Sequence, residues 1–401
     1  MLTETELINF IDNNKYDIRI SKNGRWIDQK CTPDVISFIS DCILQFIDDP
    51  QTPSQFTKND IWQYPYSEEY ILDVFSKPST KSEKLTNEYD KFFSQPLKLL
   101  AYAGVLDEEK KGNSNVYTIK NKDVLGYLAV NERNSTNFIY YYSTKVLNDS
   151  GLFPLFKSFF DTQTRESFDI LKENFISFMI NNTKITKPLE PSRIFTKVIN
   201  PIAYKLKKRG TKKGNLSKSI ITFSDLMYNQ ENFRDLYREK PKGISRVEWA
   251  ISNPPKINKN WFKYESQRAK RSVRQYNEKY NGSLSEVYSE NDTSLATQIH
   301  HIFPEHEFHE IAMYHENLIS LTPNQHLTKA HPNNNTKKIN KSYQKTLLKE
   351  KAKTILDYTN REPSGVFYSY DRLVEIINIG LGFDYNTENN TYETVMKILE
   401  N

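Results

Sequence analysis

All seven histidines of the chain fall between His300 and His331, in the window QIHHIFPEHEFHEIAMYHENLISLTPNQHLTKAHP. A His-His pair precedes Ile-Phe-Pro, Asn317 lies sixteen residues beyond His301, and His326 follows nine residues after the Asn. Neutral imidazole accepts a proton near pH 7 and ligates divalent metals, so it serves both as general base and as metal donor. Phosphodiester hydrolysis needs both, because the attacked phosphorus and the leaving oxygen gather negative charge that a metal ion can stabilise. The two cysteines, Cys31 and Cys42, lie far from this window, which excludes a mixed Cys/His zinc knuckle around it. They also offer no disulfide framework, and a reducing, cytoplasmic location is expected.

The window must be positioned by local structure. Residues 295–303 suit a strand that stops at Pro304, and Asn317 to Thr322 suits a second one. Thr322 is then an N-cap and Pro323 a first helical residue, so a helix over 323–331 carries His326. A strand–loop–strand–helix unit of this kind can hold an ion between the end of its first strand and its helix. His331 comes five residues after His326, about 140° away on a regular α-helix. It is therefore only an auxiliary ligand candidate, conditional on an early helix end that Pro332 would permit. His306, His309 and His315 fall in the loop between the strands and read as surface residues, with Glu305 and Glu307 beside them.

The remaining chain says what the site would be delivered to. Its 401 residues suit two or three domains. The net charge of +5 is mild, so binding to a polyanion must come from local clustering. The N-terminus lacks the basic and apolar regions of a signal peptide, and no apolar run reaches the ~18–20 residues of a membrane span. Helical periodicity runs over Pro33–Asp48, Lys58–Phe75 and Glu88–Ala103, followed by a strand at Val105-Leu106, a Gly-Asn-Ser-Asn turn and a strand at Val116–Ile119. Helices followed by a two-stranded wing make the winged-helix pattern. Either Glu88–Tyr102 or Ser67–Phe75 would then enter a major groove. Residues 131–200 read as an aromatic helical connector in which Tyr140, Tyr141 and Tyr142 serve packing.

Residues 203–219 carry Lys205, Lys207, Lys208, Arg209, Lys212, Lys213 and Lys218 with no acidic residue, and Gly210 and Gly214 would let backbone approach phosphates. A helix over Asn260–Tyr280 aligns Arg268 and Arg271 on one face, a second stretch that could follow a nucleic-acid backbone. A polar linker at 281–294 leads into the histidine window, and closing helices are expected over Lys337–Tyr358 and Tyr370–Ile379.

The order His-His-x-x-Pro, Asn-Leu-Ile, Pro-x-x-His resembles the HNH, or ββα-metal, nuclease family, with the specific motif confined to about residues 295–335. Together with the front-half layout, the chain resembles HNH-type type II restriction endonucleases. The resemblance implies an α+β, mainly helical protein in three parts. Residues 1–130 would be a winged-helix-like DNA-recognition domain, 131–255 a helical connector with its basic loop, and 256–401 the nuclease domain. It further implies that His300 and His326 ligate Mg²⁺ or Mn²⁺, that His301 is the general base, and that Asn317 orients that base and stabilises the loop. The colicin-type enzymes have a second helical His four residues after the first, where this chain has Ala330. The expected activity is sequence-specific cleavage of double-stranded DNA to 5′-phosphate and 3′-hydroxyl ends. One site cuts one strand, so a homodimer at least on DNA is expected, with a cognate methyltransferase as a genetic rather than physical partner and no membrane association. A nicking, modification-dependent or other phage-defence nuclease of the same family is the nearer alternative. A non-catalytic DNA-binding regulator with a degenerate fold is the more distant one.

Overall fold

Apolar spacing near 3.6 produces helices almost wherever the sequence carries it. The computed structural model describes residues 2–75, 86–228, 259–289, 292, 294–331, 340–363, 365–386 and 389–400. The protein is α+β and mainly helical, and its chain separates into two compact units, residues 4–257 and residues 258–401. Among the described residues no helix is long and apolar enough to cross a membrane.

The first unit begins with α1 (Glu4–Asp12), the short α2 (Ile18–Ser21) and α3 (Pro33–Asp48). Strand β1 (Gln55–Thr57) runs directly into α4 (Lys58–Gln63), where Thr57 and Asp60 form a reciprocal capping box. Helices α5 (Pro65–Phe75) and α6 (Thr86–Tyr102) follow, then the hairpin β2 (Leu106–Lys111) and β3 (Ser114–Ile119). The sheet order is β1-β3-β2, antiparallel throughout, with Phe56 opposite Tyr117 and Glu108 opposite the same Tyr117. β1 is thus a third strand beyond the expected two. Its three residues are too few for an alternation to show in sequence.

Next come α7 (Lys122–Val130), α8 (Glu132–Asp149), α9 (Phe153–Thr162), α10 (Arg165–Asn182) and α11 (Leu189–Lys205). Their core is aromatic, as expected. Tyr142 is fully buried, lies parallel to Phe138 at 5.6 Å and donates its hydroxyl to the Trp26 carbonyl at 2.8 Å. Tyr141 donates to Glu4 Oε1 at 2.7 Å.

The basic loop expected at 203–219 is instead largely a hairpin, β4 (Arg209–Lys212) and β5 (Asn215–Ile220). Lys212 pairs with Asn215, leaving Lys213 (φ 52°) and Gly214 (φ 78°) as a two-residue turn with both φ positive, the arrangement matched to strand twist. Gly210 is buried. A Cβ there would meet Asn200 Oδ1 at 2.5 Å and Ile221 Cγ1 at 2.9 Å, so its backbone is packed against the unit's own interior.

The second unit is organised around α12 (Lys259–Asn281) and the antiparallel pair β6 (Gln298–His301) and β7 (Leu318–Leu321). Both strands are shorter than expected. Three closing helices follow: α13 (Lys341–Arg361), α14 (Tyr370–Leu381), ended by Gly382 in the left-handed region, and α15 (Tyr392–Glu400), which the sequence reading did not include. Buried ion pairs tie these elements together: Lys351 to Glu286 at 2.6 Å and Arg372 to Glu316 at 2.7 Å. Both carboxylates also accept backbone or hydroxyl donors, from Ser320 N and Thr354 Oγ1 for Glu286 and from Ser369 N for Glu316. Glu286 is satisfied on both oxygens, as an enclosed charge requires, whereas the partners of Glu316 all fall on Oε1 and its Oε2 has none among the described residues.

Candidate functional site

His300 and His301 are consecutive in a strand, so their side chains leave opposite faces of the β6–β7 pair. His300 pairs with Ile319 and His301 with Leu318. On its own face His300 meets His326 and His331, and the ligand nitrogens of the three imidazoles all lie within 4.8 Å of one another. Their ring centroids are 5.2, 5.0 and 4.8 Å apart and their planes stand at 76°, 80° and 84°, so the rings converge nearly at right angles.

The convergence of His331 is the main departure from the sequence reading. After β7, Thr322 and Gln325 form a reciprocal cap: Gln325 N donates to Thr322 Oγ1 at 3.2 Å and Thr322 N donates to Gln325 Oε1 at 3.1 Å. The segment Gln325–Ala330 then winds as a π-helix. Its i→i+5 bonding stacks residues five apart, whereas a regular α-helix separates them. His326 and His331 therefore share a face, and His331 leaves the helix in extended conformation (φ −115°, ψ 103°). Pro332 lies outside the described residues.

His300 is buried, and its Nε2 has no hydrogen-bond partner among the described residues. Burial, then the neighbouring His326, His331, His301 and Lys270, push its pKa down to about 2. His326 is also lowered, by burial and by His331 and Lys270. His300 and His326 thus present neutral nitrogens at pH 7, the form that binds metal. A buried nitrogen without a partner, aimed into a group of imidazoles, fits a metal ion as its missing partner.

On the opposite face His301 is half-buried. Its Nε2 lies 3.0 Å from the Ala312 carbonyl and 3.4 Å from Ser266 Oγ of α12. A carbonyl oxygen only accepts, so Nε2 carries the proton and Nδ1 is the basic nitrogen. Burial and the field of Lys270 hold its pKa down to about 4, against a weaker opposing effect of the Ala312 carbonyl.

Asn317 is fully buried and was expected to orient His301 and stabilise the loop; among the described residues its side-chain hydrogen bonds go to the loop and not to His301. Its Oδ1 accepts from Phe303 N at 2.8 Å, and its Nδ2 donates to Phe303 O at 3.0 Å and to Ile311 O at 3.2 Å. It therefore locks the loop between the strands, including the carbonyl next to the one that holds His301. The three loop histidines divide. His306 and His309 are exposed as expected. His315 is buried, contrary to expectation, with its ring stacked at 4.2 Å on Phe367, its Nδ1 at 3.2 Å from the Phe367 carbonyl and its pKa pushed by burial to about 4. Glu305 accepts from Ser266 Oγ at 3.2 Å, Glu307 is exposed, and neither joins the imidazole group.

The expected phosphate-facing residues also divide. Arg268 is corrected to an interior role: it is buried, paired with Glu265 at 3.3 Å and set against the Tyr264 ring. Arg271 is half-buried. Lys205, the last residue of α11, donates to Asn137 at 2.7 Å, and on the β4–β5 hairpin Arg209 donates to the Gln163 carbonyl and Lys212 to Asp225 at 3.0 Å. Lys208 is half-buried, while Lys207, Lys213 and Lys218 are exposed.

Sequence reasoning missed three features. Ser266 on α12 reaches His301, and the charge of Lys270 one turn on acts on His300, His301 and His326; only the basic character of that helix hinted at this. A cleft of about 680 Å³ in the first unit brings Lys22, Lys98 and Lys184 together from separate segments, with no local signal. Comparison with family models, curated proteins and solved structures finds no match for this chain.

Proposed function

We propose that the chain is a metal-dependent DNA endonuclease of the HNH type, with His301 as general base. The observation that carries this reading is the meeting of His300, His326 and His331 at the end of a two-stranded hairpin, with His301 on the adjoining position. An all-imidazole donor set suits first-row transition ions better than Mg²⁺, which prefers oxygen ligands. Of the two expected ions it favours Mn²⁺, and it adds Zn²⁺. A divalent ion held there would supply Lewis-acid stabilisation of charge on the phosphate.

The protein's own residues would do the remainder. His301 Nδ1, neutral at pH 7, takes a proton from water as the water oxygen bonds to phosphorus. The bond from phosphorus to O3′ breaks, and the leaving oxygen takes a proton from solvent. Ala312 O holds the base in the required tautomer, and Asn317 keeps the loop carrying that carbonyl in place.

The first unit supports delivery to duplex DNA. Its helix–strand–helix–helix–helix–hairpin order with sheet β1-β3-β2 matches the winged-helix layout. Between the two helices considered, α6 is favoured as the reading helix, because Lys91, Ser94 and Lys98 lie on one outward side of it. Exposed Lys207, Lys213 and Lys218 extend from and beside the β4–β5 hairpin and suit phosphate contact. Double-strand cleavage would then follow from two copies acting at one site.

Plasmid and phage DNA incubated with the protein, with Mn²⁺, Zn²⁺, Mg²⁺ or EDTA and beside His301→Ala, tests this. Discrete fragments requiring both metal and His301, with DNA binding retained by the variant, are expected. Equal cleavage by His301→Ala would refute the mechanism, and nicked circles without linear product would redirect it to single-strand cutting.

A further inference from the structure

The second unit treats its buried cations consistently. Arg268, Lys351 and Arg372 each have a carboxylate at 3.3, 2.6 and 2.7 Å respectively. Lys270 is less deeply buried and has no such carboxylate partner among the described residues. It is half-buried on α12 and makes no hydrogen bond or ion pair among the described residues. It lies one helical turn beyond Ser266, whose hydroxyl is 3.4 Å from His301 Nε2 and 3.2 Å from Glu305 Oε2, so its side chain leaves α12 on the side turned to His301 and Glu305. Burial lowers its own pKa, with Glu305 opposing, and its charge acts on His300, His301 and His326.

Lys270 has the Glu305 carboxylate nearby but makes no ion pair with it, and a cation so placed against a group suited to a second cation is electrostatically unfavourable. An anion between them removes the conflict. A phosphodiester has two non-bridging oxygens sharing one negative charge, and so can face two cations at once. We propose that the Lys270 ammonium is the anion-gripping group of this site, binding a non-bridging oxygen of a phosphodiester presented to the imidazole cluster. This rests on the nuclease reading for its substrate, though not for its geometry. In hydrolysis the contact would strengthen as charge builds on the phosphate, which is the condition for accelerating the reaction rather than merely binding. Its ordinary rival is a lysine that lays its stem on the fold and keeps its head in water.

The test uses the full-length chain loaded with Zn²⁺, comparing wild type with Lys270→Met, which keeps the stem, and Lys270→Arg, which keeps the charge. Dimethyl phosphate, a minimal phosphodiester, is titrated by ³¹P NMR, and Zn²⁺ affinity is measured by calorimetry. Dimethyl phosphate affinity should fall about 10-fold or more in Lys270→Met and largely return in Lys270→Arg, while Zn²⁺ affinity in Lys270→Met is unchanged or tighter. Wild-type phosphate affinity in Lys270→Met would overturn the proposal, as would absence of binding by the wild type. Loss of Zn²⁺ by Lys270→Met would assign Lys270 a structural role instead. Plasmid cleavage run in parallel separates the two readings. A cleaving wild type with an equally active Lys270→Met leaves the nuclease reading standing without this inference. Lys270-dependent phosphate binding by a wild type that cuts no nucleic acid leaves the anion site standing without the nuclease.

Discussion

Replacing Asn317 with alanine should uncouple the inter-strand loop from the hairpin. The side chain makes three hydrogen bonds, at 2.8, 3.0 and 3.2 Å, to Phe303 N, Phe303 O and Ile311 O. Each contributes about 1 kcal/mol net, and the orphaned Phe303 N–H adds part of its desolvation cost, so a loss of roughly 3–4 kcal/mol is expected. For a unit of this size that corresponds to a midpoint about 10 °C lower. Asn317→Asp sharpens the test. It preserves the acceptor for Phe303 N but sets a second carboxylate oxygen against two carbonyls that cannot donate, so it should lose at least as much. Scanning calorimetry of the full chain, following the transition of residues 258–401, reads both values. An Asn317→Asp protein as stable as the wild type, or an Asn317→Ala protein within about 1 kcal/mol of it, would refute the loop-locking role.

Two further outcomes follow from the same geometry. His315 is held neutral by burial, with its pKa moved from 6.5 to about 4. The unfolded chain therefore takes up the proton first, and the stability is full above about pH 6.5 and lost as pH falls through about 4, roughly 3 kcal/mol in all. Metal-free urea unfolding across that range should show a shallower loss in His315→Phe, which keeps the stack on Phe367; an identical pH profile would contradict it. Neutralising Lys207, Lys213 and Lys218 together should flatten the dependence of log K on log salt for DNA binding by up to about 2.7, at about 0.9 for each phosphate contact. An unchanged slope would make them solvated surface charges.

The site was legible in the sequence to the extent that it depends on residue type and spacing. The His-His pair, the Asn before β7 and the helical His326 were all found, because strand alternation and the Thr-x-x-Gln cap act over a few residues. His331 was assigned a lesser role because α-helical geometry turns a five-residue step away from His326, and no sequence rule specifies a π-helical turn. Arg268 and Arg271 were grouped by helical phase alone. That phase is correct, but it cannot say which side of α12 is covered, and Glu265 and Tyr264 enclose Arg268. Lys270, next but one along the same helix, is a cation whose charge acts on His300, His301 and His326. In the first unit, periodicity located the long helices. The three-residue β1 and the β4–β5 hairpin escaped because one is too short and the other has its alternation hidden by consecutive lysines.

The central claim is that His300, His326 and His331 bind one ion together. Equilibrium titration of the full-length protein with Zn²⁺ and Mn²⁺, beside His331→Ala, addresses it most directly. The account predicts one ion per chain in the wild type, and an affinity at least about 10-fold weaker in His331→Ala. Equal affinity in His331→Ala would contradict the three-histidine centre, and no bound ion in the wild type would remove the basis for the metal-dependent mechanism.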